Sequence, residues 1–185
     1  CPHTVGGDFR CPMNNLTSLE GGPTEVGGNY YCYKNKLSSL KGAPSSVYGI
    51  FHCGNNKLTS LEGGPTEVGG RFNCTNNKLT SFKGGPKSFS GHLFNFKTNK
   101  ITSFEGFPEI HRDKVFLNAS FNPVKEVYKL FNNNVQAIRY LNEWEVIDVE
   151  NMEVSYLRLS EVYNDLDMEV PPREDITFKK YTLVG

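Results

Sequence analysis

Four cysteines recur at a constant spacing in this 185-residue chain. They are Cys11, Cys32, Cys53 and Cys74, each 21 residues after the one before. A zinc site needs four ligands around one ion, with sulfur about 2.3 Å from the metal. Residues on successive parallel strands instead form a line with steps of about 4.8 Å, and their parallel side chains disfavour disulfides. We therefore expect free thiols that pack as small apolar groups in a reducing, cytoplasmic setting.

The other reactive residue types form no recognisable catalytic arrangement. The histidines are scattered over different positions: His3, His52, His92 and His111. The glycines are not followed by the Lys-Ser/Thr start of a phosphate-binding helix. Carboxylates cluster in an acidic stretch, where such side chains are usually solvated: Glu143, Glu145, Asp148 and Glu150. An enzyme with its site there is an alternative, but we expect no enzymatic activity, no metal and no cofactor.

The elements that carry these residues are copies of one repeat. The copies read LTSLEGGPTEVGGNYYCYKNK from Leu16, LSSLKGAPSSVYGIFHCGNNK from Leu37, LTSLEGGPTEVGGRFNCTNNK from Leu58 and LTSFKGGPKSFSGHLFNFKTNK from Leu79, with a degenerate copy from Ile101. The period is 21 residues and lengthens once to 22. The first residues match the end of another copy, so we expect the natural chain to begin upstream of Cys1.

Each repeat position has a physical role in one turn of a solenoid. One column alternates with the cysteines at a spacing of two, as on the buried face of a strand: Phe9, Tyr30, Phe51, Phe72, Phe94 and Leu117. An asparagine follows each strand and can bond the backbone of adjacent turns: Asn14, Asn35, Asn56, Asn77, Asn99 and Asn122. Repeated Gly and Pro make turns, so we expect the convex side to be extended or 3₁₀ rather than α-helical.

The segment aromatic-x-Cys-x-x-Asn-x-Leu resembles the L-x-L-x-x-N-x-L core of leucine-rich repeats. Within that family the chain is similar to the LPX-type repeats of bacterial effectors, and its L-T-S-L-E-G-x-P phrase is similar to leucine-rich-repeat proteins of tailed phages. The resemblance covers residues 1–122 and implies a leucine-rich-repeat solenoid of short parallel β-strands. It further implies a phage-encoded binder or inhibitor of a host protein in the host cytoplasm. Gly21, Gly22 and Pro23 replace the Leu-Pro pairs of LPX repeats, so no effector activity is carried over.

The composition changes about two thirds of the way along the chain. Residues 1–122 carry 13 Lys+Arg and 8 Asp+Glu, whereas residues 123–185 carry 7 and 12. Apolar spacing in the second region predicts helices from Pro123, over 135–144 and over 154–166, and then a final extended piece. We interpret 1–122 as the solenoid and 123–185 as a small, mainly α-helical cap. The alternative is a separate partner-binding module.

The side of the strands that points away from the core is the predicted binding surface. There the copies diverge while the core positions repeat, and Tyr and Arg are enriched at protein interfaces. Repeat proteins bind through this face of the sheet. The candidate contact residues are Arg10, Asn29, Tyr31, Tyr33, Ile50, His52, Arg71, Asn73, Leu93, Asn95 and Lys97.

A column of lysines follows the repeated asparagine, and we call it the lysine rim: Lys36, Lys57, Lys78 and Lys100. Such a rim steers an acidic partner during encounter. We therefore predict a non-enzymatic protein-binding module whose partner carries an acidic patch. Two alternatives are sequestration of a nucleotide or nucleic acid along the rim, which the zero net charge disfavours, and a structural role in a larger assembly. No apolar run is long enough to span a membrane.

Overall fold

The chain forms a parallel β-solenoid of about five turns with a period near 21 residues, followed by a small part that contains helices. The structure is a computed structural model and describes residues 3–110, 115–132 and 134–185. Cys1 and His111, considered above, lie outside the described residues.

Each copy of the repeat, the incomplete first one included, contributes a short strand to each of two six-stranded parallel sheets. The front sheet consists of β2 (Phe9–Arg10), β4 (Tyr30–Tyr31), β6 (Phe51–His52), β8 (Phe72–Asn73), β10 (Leu93–Asn95) and β12 (Phe116–Asn118). The rear sheet consists of β1 (Thr4–Val5), β3 (Glu25–Val26), β5 (Ser46–Val47), β7 (Glu67–Val68), β9 (Ser88–Phe89) and β11 (Glu109–Ile110). In both sheets each strand pairs with the equivalent strand of the next turn, so the repeat sets the register.

The rear sheet occupies the side of the turn for which the sequence predicts extended or 3₁₀ backbone. The described residues from 3 to 110 contain no helix, which confirms that this side of each turn is non-helical. Successive turns approach closely between the rear and front strands, and Gly70 lies there because a larger residue would not fit. A Cβ atom on Gly70 would lie 2.5 Å from the carbonyl carbon of Gly49 in the preceding turn.

The core contains the columns that the sequence predicts to point inward. Phe51, Phe72 and Phe94 are fully buried, and neighbouring rings have centroid distances of 5.4 and 4.6 Å. The cysteines that alternate with these rings are also fully buried and unpaired: Cys32, Cys53 and Cys74. Stacking from turn to turn therefore removes each column from water, which is the main source of stability in such a fold.

The repeated asparagines form a ladder of hydrogen bonds where the front-sheet strands end. The side-chain Oδ1 of Asn77 accepts from the N–H of Leu58 at 3.0 Å. Its Nδ2 donates to the carbonyls of Cys53 and Cys74 at 3.2 and 3.1 Å. Equivalent bonds are made by Asn35, Asn56, Asn99 and Asn122. The predicted bonding between adjacent turns is confirmed.

The C-terminal part, as far as it is described, contains three α-helices, one 3₁₀ turn and a three-stranded sheet. In chain order these are α1 (Lys125–Leu130), α2 (Ala137–Glu143), β13 (Ile147–Asp148), β14 (Glu153–Ser155), α3 (Tyr156–Asp165), the 3₁₀ turn (Arg173–Asp175) and β15 (Thr182–Val184). β14 lies between β13, with which it is antiparallel, and β15, with which it is parallel. None of the described helices is long and apolar enough to cross a membrane.

Each predicted helix corresponds to an observed one, but the start of the third prediction is wrong. Val154 lies in β14 rather than in a helix, and α3 begins after Ser155. The Oγ of Ser155 accepts from the N–H of Arg158 at 3.3 Å, which is the N-cap interaction that starts a helix. Pairing with β13 and β15 explains the difference, because it holds Val154 in extended backbone.

The C-terminal part packs directly on the last turn of the solenoid. The hydroxyl of Tyr181 donates to the carbonyl of Thr102 at 2.8 Å, and Nδ2 of Asn142 donates to the carbonyl of Phe104 at 3.0 Å. The ring of Tyr128 lies 5.8 Å from that of Phe104, which is fully buried. The apolar end of the stack is thereby covered.

Replacing a ladder asparagine should destabilise the fold far more than an ordinary surface substitution. Asn77→Ala leaves the buried N–H of Leu58 without its acceptor and removes one of the two amide donors to each of the Cys53 and Cys74 carbonyls. We therefore expect the free energy of unfolding to fall by about 2 kcal/mol. Urea denaturation followed by circular dichroism measures the change. The control is Asn14→Ala at the exposed end of the ladder, where Nδ2 bonds the carbonyl of Pro12 and no other described residue. If the free energy of unfolding fell equally in the two variants, the hydrogen bonds between turns would not be the source of the stabilisation.

Tyr30 offers a stabilising change, because it is the tyrosine in a column of buried phenylalanines. Its hydroxyl is buried and has no hydrogen-bond partner among the residues that the structure describes. Burial raises the pKa of Tyr30 far above its usual range. We expect Tyr30→Phe to raise the free energy of unfolding by about 1 kcal/mol. Tyr48→Phe, at a side chain 72% exposed, should leave it unchanged in the same urea titration.

Candidate functional site

The outer side of the front sheet is the predicted binding surface, and the structure brings its central column together. Arg10 pairs in register with Tyr31, and Tyr31 with His52. Asn73 follows His52, and Asn95 follows Asn73. All of these side chains are half-buried or exposed. Side chains from distant parts of the sequence are therefore neighbours, about 4.8 Å apart from strand to strand.

Four of the predicted contact residues form what we call the aromatic cluster: Arg10, Tyr31, Tyr33 and His52. The guanidinium carbon of Arg10 lies 4.6 Å from the centre of the Tyr31 ring. The rings of Tyr33 and His52 are stacked at 4.5 Å, and Tyr31 stands nearly perpendicular to Tyr33 at 6.3 Å. Cation–π and aromatic contacts of this kind each contribute roughly 0.5–1.5 kcal/mol, so they favour this arrangement of the four side chains.

Gly54 leaves the space in which the imidazole of His52 lies. A Cβ atom on Gly54 would be 3.0 Å from Nε2 of His52 and 2.8 Å from Oγ1 of Thr75. The missing side chain lets His52 lean over Gly54 and stack on Tyr33. Burial lowers the pKa of His52 from its ordinary value of 6.5, so at neutral pH the ring presents an uncharged surface.

Asp8 orients the cation of the aromatic cluster. Its Oδ1 accepts from the N–H of Asn29 at 2.8 Å, and its Oδ2 accepts from Nη2 of Arg10 at 2.8 Å. These bonds, that from the Asn29 backbone first, hold the pKa of Asp8 below its usual value. The pair is exposed and adds little stability. It aligns the guanidinium over Tyr31.

The neighbouring column of predicted contact residues has a more structural character. Oδ1 of Asn29 accepts from the N–H of Ile50 at 2.7 Å, so Asn29 links two turns. Nε of Arg71 donates to Nε2 of His92 at 3.0 Å, and both residues are exposed. Leu93 and Ile50 are half-buried. Arg71 is therefore the member of this column that offers charge to a partner.

Asn73 and Asn95 use part of their amide groups inside the chain. Oδ1 of Asn73 accepts from the N–H of Thr75 at 3.1 Å, and Oδ1 of Asn95 accepts from the N–H of Lys97 at 3.3 Å. These bonds stabilise the bend that follows each strand. The ammonium group of Lys97 lies 5.4 Å from the centre of the Phe121 ring. The front surface thus divides into the aromatic cluster in the early turns and an asparagine-rich region in the later ones.

Sequence reasoning left several contributors out of the candidate set. Asp8 and Gly54 position the aromatic cluster, and Phe116 and Phe121 are 67% and 73% exposed near the last front strand. Gly54 carries a signal in the sequence, because it interrupts a column occupied by Tyr33 and other residues with side chains. Phe121 carries none, because it stands in the turn before a ladder asparagine, where the other copies have unrelated residues.

The lysine rim follows the ladder asparagines and is exposed along its whole length. The backbone N–H of Lys57 donates to the carbonyl of Leu37 at 2.8 Å, and Lys36, Lys78 and Lys100 make the equivalent bond. Their side chains form no ion pair within the part of the chain that the structure describes. The backbone N–H groups of the lysine rim therefore join adjacent turns, and the side chains are exposed to solvent.

The described residues contain no group of three or more His, Cys, Asp or Glu side chains that could hold a metal ion. Burial raises the pKa of the Cys32, Cys53 and Cys74 thiols, which makes them poor nucleophiles and suits packing. Comparisons with protein-family models, curated proteins and solved structures give no match. The chemistry that the front surface offers is stacking, cation–π contact and hydrogen bonding.

Filling the space beneath His52 should disturb the aromatic cluster. In Gly54→Ala the new methyl group displaces the imidazole from Tyr33, so His52 becomes more exposed and its pKa rises toward 6.5. NMR titration of the imidazole protons measures this. Gly6→Ala, at a glycine with open space around it, is the control and should leave the pKa unchanged. An unaltered His52 titration in Gly54→Ala would show that Gly54 does not position the ring.

Proposed function

We propose that the chain is a non-enzymatic recognition module that binds a partner protein through the front sheet. The observation that carries the proposal is the aromatic cluster, in which two tyrosines, a histidine and an arginine are held against one another on an outward face. Tyr and Arg residues dominate the binding energy of many interfaces. Side chains already held in contact lose less freedom when a partner binds.

The partner that we propose carries an acidic patch. The lysine rim runs beside the front sheet, and Arg71 adds a further cation on the sheet itself. Charges at the margin of an interface accelerate encounter with a partner of opposite charge, while a desolvated centre supplies affinity. The aromatic cluster would form that centre, and the lysine rim would guide the partner toward it.

We further propose that the repeats are of the leucine-rich type. The asparagine ladder and the adjacent aliphatic columns, which include Leu37 and Leu58, support this class. We also propose a phage-encoded binder or inhibitor of a host protein, and this part of the proposal rests only on the resemblance of the repeat phrase. The unpaired, buried cysteines are in keeping with a reducing compartment such as the host cytoplasm.

Removing two rings of the aromatic cluster tests the proposal. The experiment compares the intact chain with Tyr31→Ala/Tyr33→Ala in affinity capture from lysate, followed by calorimetry with the captured protein. Loss of two interface anchors should weaken binding by at least about tenfold. Tyr48→Ala, which removes an exposed tyrosine beside the rear sheet, should bind like the intact chain. If all three forms bound the partner equally, the contact would lie outside the aromatic cluster. If the intact chain captured no protein, the proposal of a protein-recognition module would be contradicted.

A second candidate function is sequestration of an anionic ligand along the lysine rim. The absence of ion pairs to the rim within the described residues favours it. Polyanion binding weakens steeply as salt rises, in proportion to the number of neutralised charges. Substituting glutamine for all four rim lysines would abolish binding to such a ligand. The same variant would slow, but not prevent, association with a protein held by the aromatic cluster.

A further inference from the structure

We propose that a second binding site, separate from the front sheet, lies where the C-terminal part meets the last turn of the solenoid, and that it takes a basic peptide segment with apolar side chains. A cleft of about 620 Å³ opens there. Residues 103–106 form one wall, and the end of α2, the β13 region and Arg158 form the other. We call it the acidic cleft. Its volume lies within the usual range of ligand sites, about 300–1,000 Å³.

The walls of the acidic cleft are fixed by hydrogen bonds. Asn142 bonds the carbonyl of Phe104 across the junction at 3.0 Å, and Nη1 of Arg158 donates to the carbonyl of Glu145 at 3.0 Å. The carboxylate of Asp148 accepts from the N–H groups of Glu150 and Asn151 at 3.0 and 3.1 Å. A cleft formed in advance requires little ordering when it is occupied.

The charge in the acidic cleft is strongly one-sided. Glu105, Glu145, Asp148 and Glu150 line it, and the cation that faces them is Arg158. Arg158 is partly engaged, because its Nη1 lies 3.7 Å from Oε2 of Glu145. Hydrogen bonds from Asn151 hold the pKa of Asp148 below its usual value, so this carboxylate is ionised at neutral pH. The field of these groups attracts cations.

The arrangement of the carboxylates favours a peptide over a metal ion. Among the described residues no three acidic, histidine or cysteine side chains converge as a metal site requires. The lining carboxylates come from separate elements, Glu105 from the last turn of the solenoid and Glu145, Asp148 and Glu150 from the region of β13. Several separate ammonium or guanidinium groups along one chain match such a distribution better than a single compact ion does.

Apolar side chains also line the acidic cleft and indicate the rest of the partner's chemistry. Leu141 is buried, Ile147 is half-buried, and Val149 is 43% exposed. Aliphatic groups placed between the partner's cations would cover Val149 and Ile147 and gain apolar contact. The front sheet is proposed to bind a partner of the opposite charge, so one partner class is not expected to occupy both sites.

A defined peptide tests the acidic cleft in the intact chain. The probe is a fluorescein-labelled peptide, Lys-Leu-Lys-Ser-Lys-Leu-Lys-Gly, titrated at low salt and followed by fluorescence anisotropy. We expect saturable binding that Glu105→Gln/Glu150→Gln weakens about fivefold, since each exposed charge contributes modestly. The side chains of both glutamates are exposed. The matched control is Glu25→Gln/Glu67→Gln, which removes the same charge from the rear sheet and should bind like the intact chain.

Three results would overturn the proposal. The first is no binding of the lysine peptide. The second is equal weakening by both double variants, which would show attraction to overall charge rather than to the acidic cleft. The third is a dimer of the chain in sedimentation that Glu105→Gln/Glu150→Gln dissociates, because the lysine rim of a second copy would then be the occupant. Circular dichroism of both variants verifies that they remain folded.

Discussion

The asparagine at the end of each front-sheet strand joins its own turn to the one before, and the regularity of the solenoid depends on it. A bend this tight leaves backbone N–H and carbonyl groups that cannot reach one another, and burying them without partners would be strongly unfavourable. The amide of Asn77 supplies an acceptor for Leu58 and donors for Cys53 and Cys74. Each ladder residue works only when the adjacent turn is in place, so the turns stabilise one another.

The ladder also explains how a repetitive chain can carry a specific surface. It fixes the register of the front sheet, and stacking of buried rings such as Phe51 and Phe72 then supports every turn in the same way. Outward positions are freed from that task and can differ between copies. Some outward side chains still have a structural role, because Asn73 bonds the backbone of its own turn. The aromatic cluster lies where the outward side chains are large and contact one another.

The chain has no net charge, but its positive and negative side chains are concentrated in different places. The lysine rim lies on the solenoid, whereas the carboxylates of the acidic cleft surround the junction with the C-terminal part. Opposite fields at two separate places are the basis on which we propose two partners of different charge. A chain with no net charge can therefore carry two surfaces of opposite charge.

The sequence by itself determined the solenoid, its period, the inward columns and the bonding role of the asparagines. Four near-identical copies show which positions stack, and the physics of a parallel strand then assigns each column to core or solvent. Apolar spacing located the helices approximately, although the leucine-rich type remains a proposal. The choice of outward residues was only partly informative, since Asn29 and Asn95 proved to bond within the chain. Only the tertiary structure decided the second parallel sheet, the extended Val154, the fit of His52 over Gly54 and the acidic cleft. Each of these depends on contacts between turns or elements far apart in sequence, which neither periodicity nor local propensity encodes.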